Sequence, residues 1–238
     1  MHELTKASDL FSKPYKWVLI AALTFGAGFI VMAYNLLKER NAHFKKQYEI
    51  SISAIRGLGV WLGTDLLRFA RRLSRSTIIR DERLWLWCLV ISFIGAYPLA
   101  LLLLGFLQYL LITDLDAHVD QELMLARILW MFLSPSFVEK MEGIKGISRR
   151  HKRFYVTYMA ACSSFLGLLI SYIYLGIFSI TSGASFTFPL IALALCATSL
   201  AVSLMVDVFW WLDIIRAYEE HLYLSEEALK TVKRKMFI

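Results

Sequence analysis

Three side chains able to bind a metal ion lie four residues apart near the middle of the chain. Asp114, His118 and Glu122 would stand one turn apart on the same face of a helix. Carboxylate oxygens and imidazole nitrogens are ligands for several divalent metal ions. A solvated polar face at the end of a membrane helix explains the same residues, however. We therefore predict no bound metal and no other cofactor, and keep the three residues as candidate ligands.

Asp207 is the only clear acidic residue inside an apolar stretch long enough to cross a membrane. An unpaired carboxylate there is costly, so a partner has to be named. We predict a structural pair with Lys152 or Arg153, with partner binding and ion transfer as alternatives. These two belong to a basic run that we expect to bind anionic lipid or a partner protein. The run comprises Arg149, Arg150, Lys152 and Arg153.

Small side chains recur at four-residue spacing in the last two apolar stretches. Such ridges let two helices approach closely in lipid, where packing drives helix association. We predict that they close a hairpin between these stretches, and a face for a homo-oligomer or a partner is the alternative. The residues are Ser163, Gly167 and Ser171 in one stretch, and Ala197 and Ala201, with Ser199 and Ser203, in the other.

The elements that must position these residues are membrane helices. The 238 residues are 58% hydrophobic and 19% charged, and the apolar residues fall in blocks too long for a globular core of this size. A spanning helix needs about 20 mostly apolar residues. The sequence therefore predicts an all-α polytopic membrane protein with a single domain, 1–238. Four spans are predicted, at 17–37, 86–112, 155–180 and 187–212.

The second block leaves the topology open. With four spans and a cytoplasmic N-terminus, 15 Lys and Arg residues lie inside and 11 outside, a weak bias in the direction expected of membrane proteins. If the block instead bent back at Gly95 and Pro98, an external N-terminus would leave 23 inside and 3 outside. Each half of such a bend is short of a full crossing. We therefore favour four spans with both termini cytoplasmic in a bacterial inner membrane.

The connections between the spans are themselves patterned. Residues 41–76 have apolar side chains at helical spacing and are predicted to form an amphipathic helix. That helix would lie on lipid, dock on a partner, extend the first span, or pack on the protein's own helices. Segment 114–153 is acidic first and basic last, and with the tail 214–238 it is predicted to be cytoplasmic.

The chain has no motif of a known catalytic centre. It lacks a phosphate-binding glycine loop, a metalloprotease His/Glu motif, a nucleophile elbow and a dinucleotide fingerprint. The pI of 9.3 reflects charges that flank membrane segments, so no direct nucleic-acid binding is expected. We predict that the protein is not an enzyme.

The layout resembles that of the small polytopic inner-membrane proteins encoded beside the coupling ATPase in conjugative plasmids and integrating conjugative elements. Local similarities are Ala42-His43-Phe44 through Tyr48-Glu49, Tyr97-Pro98-Leu99, Pro189-Leu190-Ile191 and Val206-Asp207-Val208. The first connection is short for that family and the second is long. The resemblance implies an accessory protein of conjugative DNA transfer that sits with the coupling ATPase and has no catalytic residues.

The leading hypothesis is thus a non-enzymatic membrane subunit that docks on a larger machine, with the coupling ATPase of a conjugative or type IV secretion apparatus as the expected partner. A homo-oligomer is compatible with it. The alternatives are a small transporter or channel that uses Asp207, and a membrane effector of phage defence or immunity.

Overall fold

The computed structural model describes residues 16, 20, 23, 24, 26–62, 79–128, 139, 142, 147–183 and 185–236. Within these residues the protein is helical and has no strand, so the predicted all-α fold class is confirmed. Residues 63–76 of the predicted amphipathic helix and 129–138 of the predicted cytoplasmic segment lie outside the described part. The main helices are α1 (Ala27–Leu62), α2 (Glu82–Gly95), α3 (Tyr97–Ile128), α4 (Ile147–Ser182) and α5 (Thr187–Met236).

Helix α1 joins two segments that the sequence presented as separate. It runs unbroken from the first apolar block into the first connection, and its 36 residues form a rod about 54 Å long. The Thr24 hydroxyl accepts a hydrogen bond from the amide of Gly28 and caps the first turn. Further along, Phe44 is buried in the core. The described part of the amphipathic segment therefore extends the first helix and packs on the protein's own helices.

The second apolar block is bent into a hairpin. Helix α2 begins after Asp81, whose carboxylate accepts hydrogen bonds from the amides of the first turn, and it ends at Gly95. Helix α3 then runs back alongside α2, and the rings of Trp85 and Phe106 lie 6.2 Å apart. The 14 residues of α2 reach only about 21 Å, less than the roughly 30 Å of a hydrocarbon core. The prediction of a single continuous span over 86–112 is therefore wrong.

Within the part of the chain that the structure describes, three helices are long and apolar enough to cross a membrane, over residues 97–124, 151–182 and 187–227. Helices α4 and α5 form the predicted hairpin, and Gly183, with a φ of +65°, makes the turn between them. The outer side of the hairpin is apolar and exposed, as expected for a surface in contact with lipid. Residues on it include Ile173, Tyr174, Ile177, Phe178, Phe188 and Leu190.

The small-residue ridges contribute only in part to this hairpin. Five ridge positions are exposed, namely Ser163, Gly167, Ser171, Ala197 and Ala201. The two serines of the α5 stretch lie on the inner side, where the hydroxyl of Ser199 donates to the carbonyl of Ala161 in α4 and Ser203 is fully buried. The thiol of Cys196 donates to the carbonyl of Phe165 beside them. The ridge of α4 therefore faces outward, whereas the serines of α5 face inward.

Helices α3 and α4 pack tightly at Gly105. The hydroxyl of Tyr158 donates to the carbonyl of Leu101 at 2.9 Å, and its ring covers Gly105. A Cβ atom at Gly105 would overlap that ring. Glycine is therefore required at this position because the aromatic ring is anchored at its far end and has little room to move.

We predict that G105A lowers the free energy of unfolding by about 1–3 kcal/mol, because the added methyl group overpacks the contact with Tyr158. The matched control is G176A in α4, where a Cβ meets nothing within 4 Å. Chemical denaturation in detergent, followed by circular dichroism, measures both. Equal stability of the two variants would contradict the packing of α3 on α4 described above.

Candidate functional site

A buried ion pair lies where α1, α3 and the chain just before α2 meet. The guanidinium of Arg40 is 2.6 Å from the carboxylate of Asp114, and their side chains are 0% and 4% exposed. Arg80 donates two further hydrogen bonds to the same carboxylate, at 2.6 and 2.9 Å. Because Arg80 is 19% exposed, it carries the excess positive charge of the group toward solvent.

Asn41 extends this network to the start of α2. Its side-chain amide donates to the carbonyl of Arg80 at 2.6 Å and to the carboxylate of Glu82 at 3.0 Å, while its side-chain oxygen accepts from Arg40 at 2.9 Å. The network holds the beginning of α2 beside the middle of α1. It thus closes the α2–α3 hairpin at the end opposite to its bend.

A second polar cluster lies one turn further along α3. It contains His43 of α1, His118 and Glu122 of α3, and His221 of α5. One potential ligand atom from each residue lies within 4.8 Å of all the others. His118, Glu122 and His221 are buried and His43 is partly buried. We refer to these four residues as the histidine cluster, and they are the described residues that could hold a metal ion.

The carboxylate of Glu122 is the hub of the histidine cluster. It accepts hydrogen bonds from the hydroxyl of Ser225 at 2.9 and 3.1 Å and from the side-chain amide of Gln47. The ring of Phe44 stacks on that of His118, with ring centres 3.9 Å apart. These contacts fix the orientation of one carboxylate and one imidazole in the centre of the bundle.

His43 is neutral in this environment. Burial, and to a smaller extent the neighbouring His118 and Lys46, lower the pKa of His43 to about 3. The uncharged ring therefore persists at neutral pH, and one of its nitrogens keeps a lone pair. Histidine binds metal ions in this neutral form, through that lone pair.

The structure divides the three candidate ligands of the sequence analysis between two sites. His118 and Glu122 belong to the histidine cluster, whereas Asp114 is engaged by the two arginines. His43 and His221 were not predicted as ligands, because they lie on other helices. The sequence nevertheless contains a pattern that could have identified them. In each of the three helices, a histidine is followed four residues later by a polar side chain that also reaches the cluster. The pairs are His43 and Gln47, His118 and Glu122, and His221 and Ser225.

Asp207 is fully buried, and among the described side chains its partner is Gln108 rather than Lys152 or Arg153. The side-chain amide of Gln108 in α3 donates to its carboxyl group, whereas the side chains of Lys152 and Arg153 are exposed. The side chains of Arg149 and Arg150 lie outside the described part. Asp207 thus has a structural contact, as predicted, but its partner is the neutral side-chain amide of Gln108 on α3 and not a basic residue.

The contacts of both polar clusters also correct the predicted topology. Residues in direct contact lie on the same side of a membrane, and Arg40 contacts Asp114 while the rings of His43 and His221 lie 5.3 Å apart. The four-span prediction put segment 38–83 on the opposite side from 114–153 and the tail. That arrangement is incompatible with these contacts.

Comparison with known proteins adds no relative. No protein family, no curated protein and no solved structure matches the chain.

We predict that D114N lowers the free energy of unfolding by about 3–5 kcal/mol, because it removes the buried negative charge that the guanidinium groups of Arg40 and Arg80 contact. The control is E49Q, which removes one carboxylate charge at an exposed position of α1, with an expected change below about 0.5 kcal/mol. Denaturation in detergent measures both variants. If D114N were as stable as E49Q, the ion pair would not hold the bundle together.

Proposed function

We propose that this chain is a non-enzymatic membrane subunit that presents a rigid helical bundle to a partner protein at the cytoplasmic face of a bacterial inner membrane. The main observation in support of this proposal is the length of α5. Its 50 residues extend about 75 Å, whereas a hydrocarbon core is about 30 Å thick. The helix therefore continues well beyond the lipid, with its charged half available to a partner.

The half of α5 that extends beyond the lipid is held in place because it packs on α1 and α3. The hydroxyl of Tyr218 donates to the carbonyl of Leu111 at 2.8 Å, and His221 lies against His43. The opposite side of the same segment is exposed and acidic around an aromatic ring. It comprises Glu219, Glu220, Tyr223, Glu226 and Glu227. Tyrosine is enriched at protein interfaces, and the acidic face favours a partner with a basic surface.

The orientation we propose has an external N-terminus and a cytoplasmic C-terminus. The bend in the second block and the shared side of α1, α3 and α5 support it, because the first connection, the second connection and the tail then face the same compartment. Together they carry 23 of the 26 Lys and Arg residues, the distribution expected of a cytoplasmic side.

The partner we propose is the coupling ATPase of a conjugative transfer apparatus. This choice rests on the layout resemblance given above, and the exposed acidic face of α5 is compatible with it. The outward-facing ridge of Ser163, Gly167 and Ser171 is a surface on which a second copy of the chain would pack closely.

Thiol labelling tests the orientation. In a background with the three native cysteines replaced by alanine, we place single cysteines at Lys45, at Ser182 in the α4–α5 turn and at Glu227, all exposed. In intact spheroplasts a membrane-impermeant maleimide should label S182C alone, because the other two positions face the cytoplasm. Permeabilisation should expose all three. Labelling of K45C in intact spheroplasts would contradict the proposed orientation.

Co-purification tests the function. Extracted in mild detergent from its native cells, the protein should carry an ATPase or secretion component with it. The double variant E219K/E220K should recover less of that component, because it reverses the charge of the proposed docking face. K45E/K46E, a charge reversal of equal size and opposite sign at exposed positions of α1, is the control. A protein that emerges alone and monomeric would rule the proposal out.

A further inference from the structure

We propose that the histidine cluster binds one divalent transition-metal ion, with Zn²⁺ as the representative ion, through His43, His118, Glu122 and His221. The site would tie α1, α3 and α5 together at the centre of the projecting bundle. It rests on side-chain geometry alone and is independent of which partner, if any, the bundle binds.

Two nitrogen–oxygen separations, each to a different carboxylate oxygen of Glu122, are close to the spacing of ligands around one ion. Nε2 of His118 is 3.6 Å from one oxygen of Glu122, and Nδ1 of His221 is 3.5 Å from the other. Both separations are too long for a good hydrogen bond. Zinc bonds of about 2.0–2.1 Å in a tetrahedron put neighbouring ligand atoms about 3.4 Å apart. Small side-chain rotations would bring the remaining atoms, which lie within 4.8 Å of one another, to the same spacing.

The three imidazole rings surround a common point. Their centres are 5.2, 5.3 and 5.7 Å apart, and each pair of rings is inclined by 74° to 89°. In a tetrahedral site each ring centre is about 3.2 Å from the ion, which puts ring centres about 5.2 Å apart. Apolar packing alone would not require three rings from three helices to meet with this symmetry.

Four of the six ring nitrogens of the cluster lack a hydrogen-bond partner among the described residues. Nε2 of His43, Nε2 of His118 and both ring nitrogens of His221 are buried and have no hydrogen-bond partner among the described residues. A buried polar atom that loses its bond to water and gains none is costly. A metal ion at the common point would satisfy one lone pair from each ring, and this is the simplest reason for keeping three histidines there.

The surroundings of the cluster hold two of its potential ligands in place. Gln47 and Ser225 hold the carboxylate of Glu122, and Phe44 holds the ring of His118. Contacts of this kind around metal ligands typically change affinity by about 10–100-fold when removed. Three of the chain's five histidines are in the cluster, although their helices are distant in sequence.

The donor set selects the class of ion. Mg²⁺ and Ca²⁺ prefer oxygen ligands throughout, and Cu⁺ prefers thiolate or thioether sulfur. Three imidazoles and one carboxylate suit Zn²⁺ and the neighbouring divalent ions Co²⁺, Ni²⁺ and Fe²⁺. Four protein ligands complete the tetrahedral shell of Zn²⁺, and structural zinc sites are closed in this way. The ion would therefore clamp the bundle, and it would stabilise the folded chain in proportion to its occupancy.

The test uses the full chain, purified in mild detergent with a tag that contains no histidine. After removal of metals with a chelator, the protein should take up one Zn²⁺ per chain, measured by mass spectrometry of the metal, and its thermal midpoint should rise. Co²⁺ in its place should give the strong visible absorption of a tetrahedral site. H118Q, H221Q and E122Q should each weaken Zn²⁺ binding at least about 10-fold.

H151Q is the matched control, because His151 is equally buried but accepts a hydrogen bond from Trp210 outside the cluster. It should keep the ion. If the cluster variants do not fold, X-ray absorption at the zinc edge of the wild-type protein decides, since the proposal requires three imidazole nitrogens and one oxygen around the ion. A wild-type chain that takes up no ion, equal binding by wild type and folded cluster variants, or a spectrum without imidazole would each overturn the proposal.

Discussion

A guanidinium group inside a helical bundle requires a negative partner, and Asp114 of α3 is such a partner for Arg40. The consequences extend through the chain. Asp114 also engages Arg80, and Asn41 beside Arg40 holds Arg80 and Glu82, so the start of α2 is drawn to the level of Asp114. The second apolar block must then fold back on itself, because its two ends meet.

This constraint separates the molecule into two regions with different surroundings. The α4–α5 hairpin exposes large apolar side chains, as suits a segment in lipid. The charged halves of α1, α3 and α5 have the opposite distribution, with charged, polar and aromatic side chains inside and further carboxylates, such as those of Glu219 and Glu220, outside. A bundle of this kind at a membrane surface is rigid without being large, which is what a docking subunit needs.

The histidine cluster and the ion pair are neighbours with different requirements. The ion pair is complete within the protein, since Asp114 accepts from both arginines. In the histidine cluster, Glu122 has donors but several imidazole nitrogens have none among the described residues. An ion bound there would add a second fastening between the three helices, one turn from the first. The stability of the projecting bundle would then depend on the bound metal ion as well as on the ion pair of Arg40 and Asp114.

The sequence by itself determined the helical class, the apolar stretches and the α4–α5 hairpin, because each follows from the composition of a continuous segment and from a turn at Gly183. It could not determine which helix faces meet. The ridge through Gly167 was visible as spacing, yet only packing decided that it faces outward. Likewise Asp207 required a partner, and the tertiary structure selected Gln108. His43 and His221 approach Glu122 only because three helices far apart in sequence are brought together by long-range contacts that no local pattern encodes.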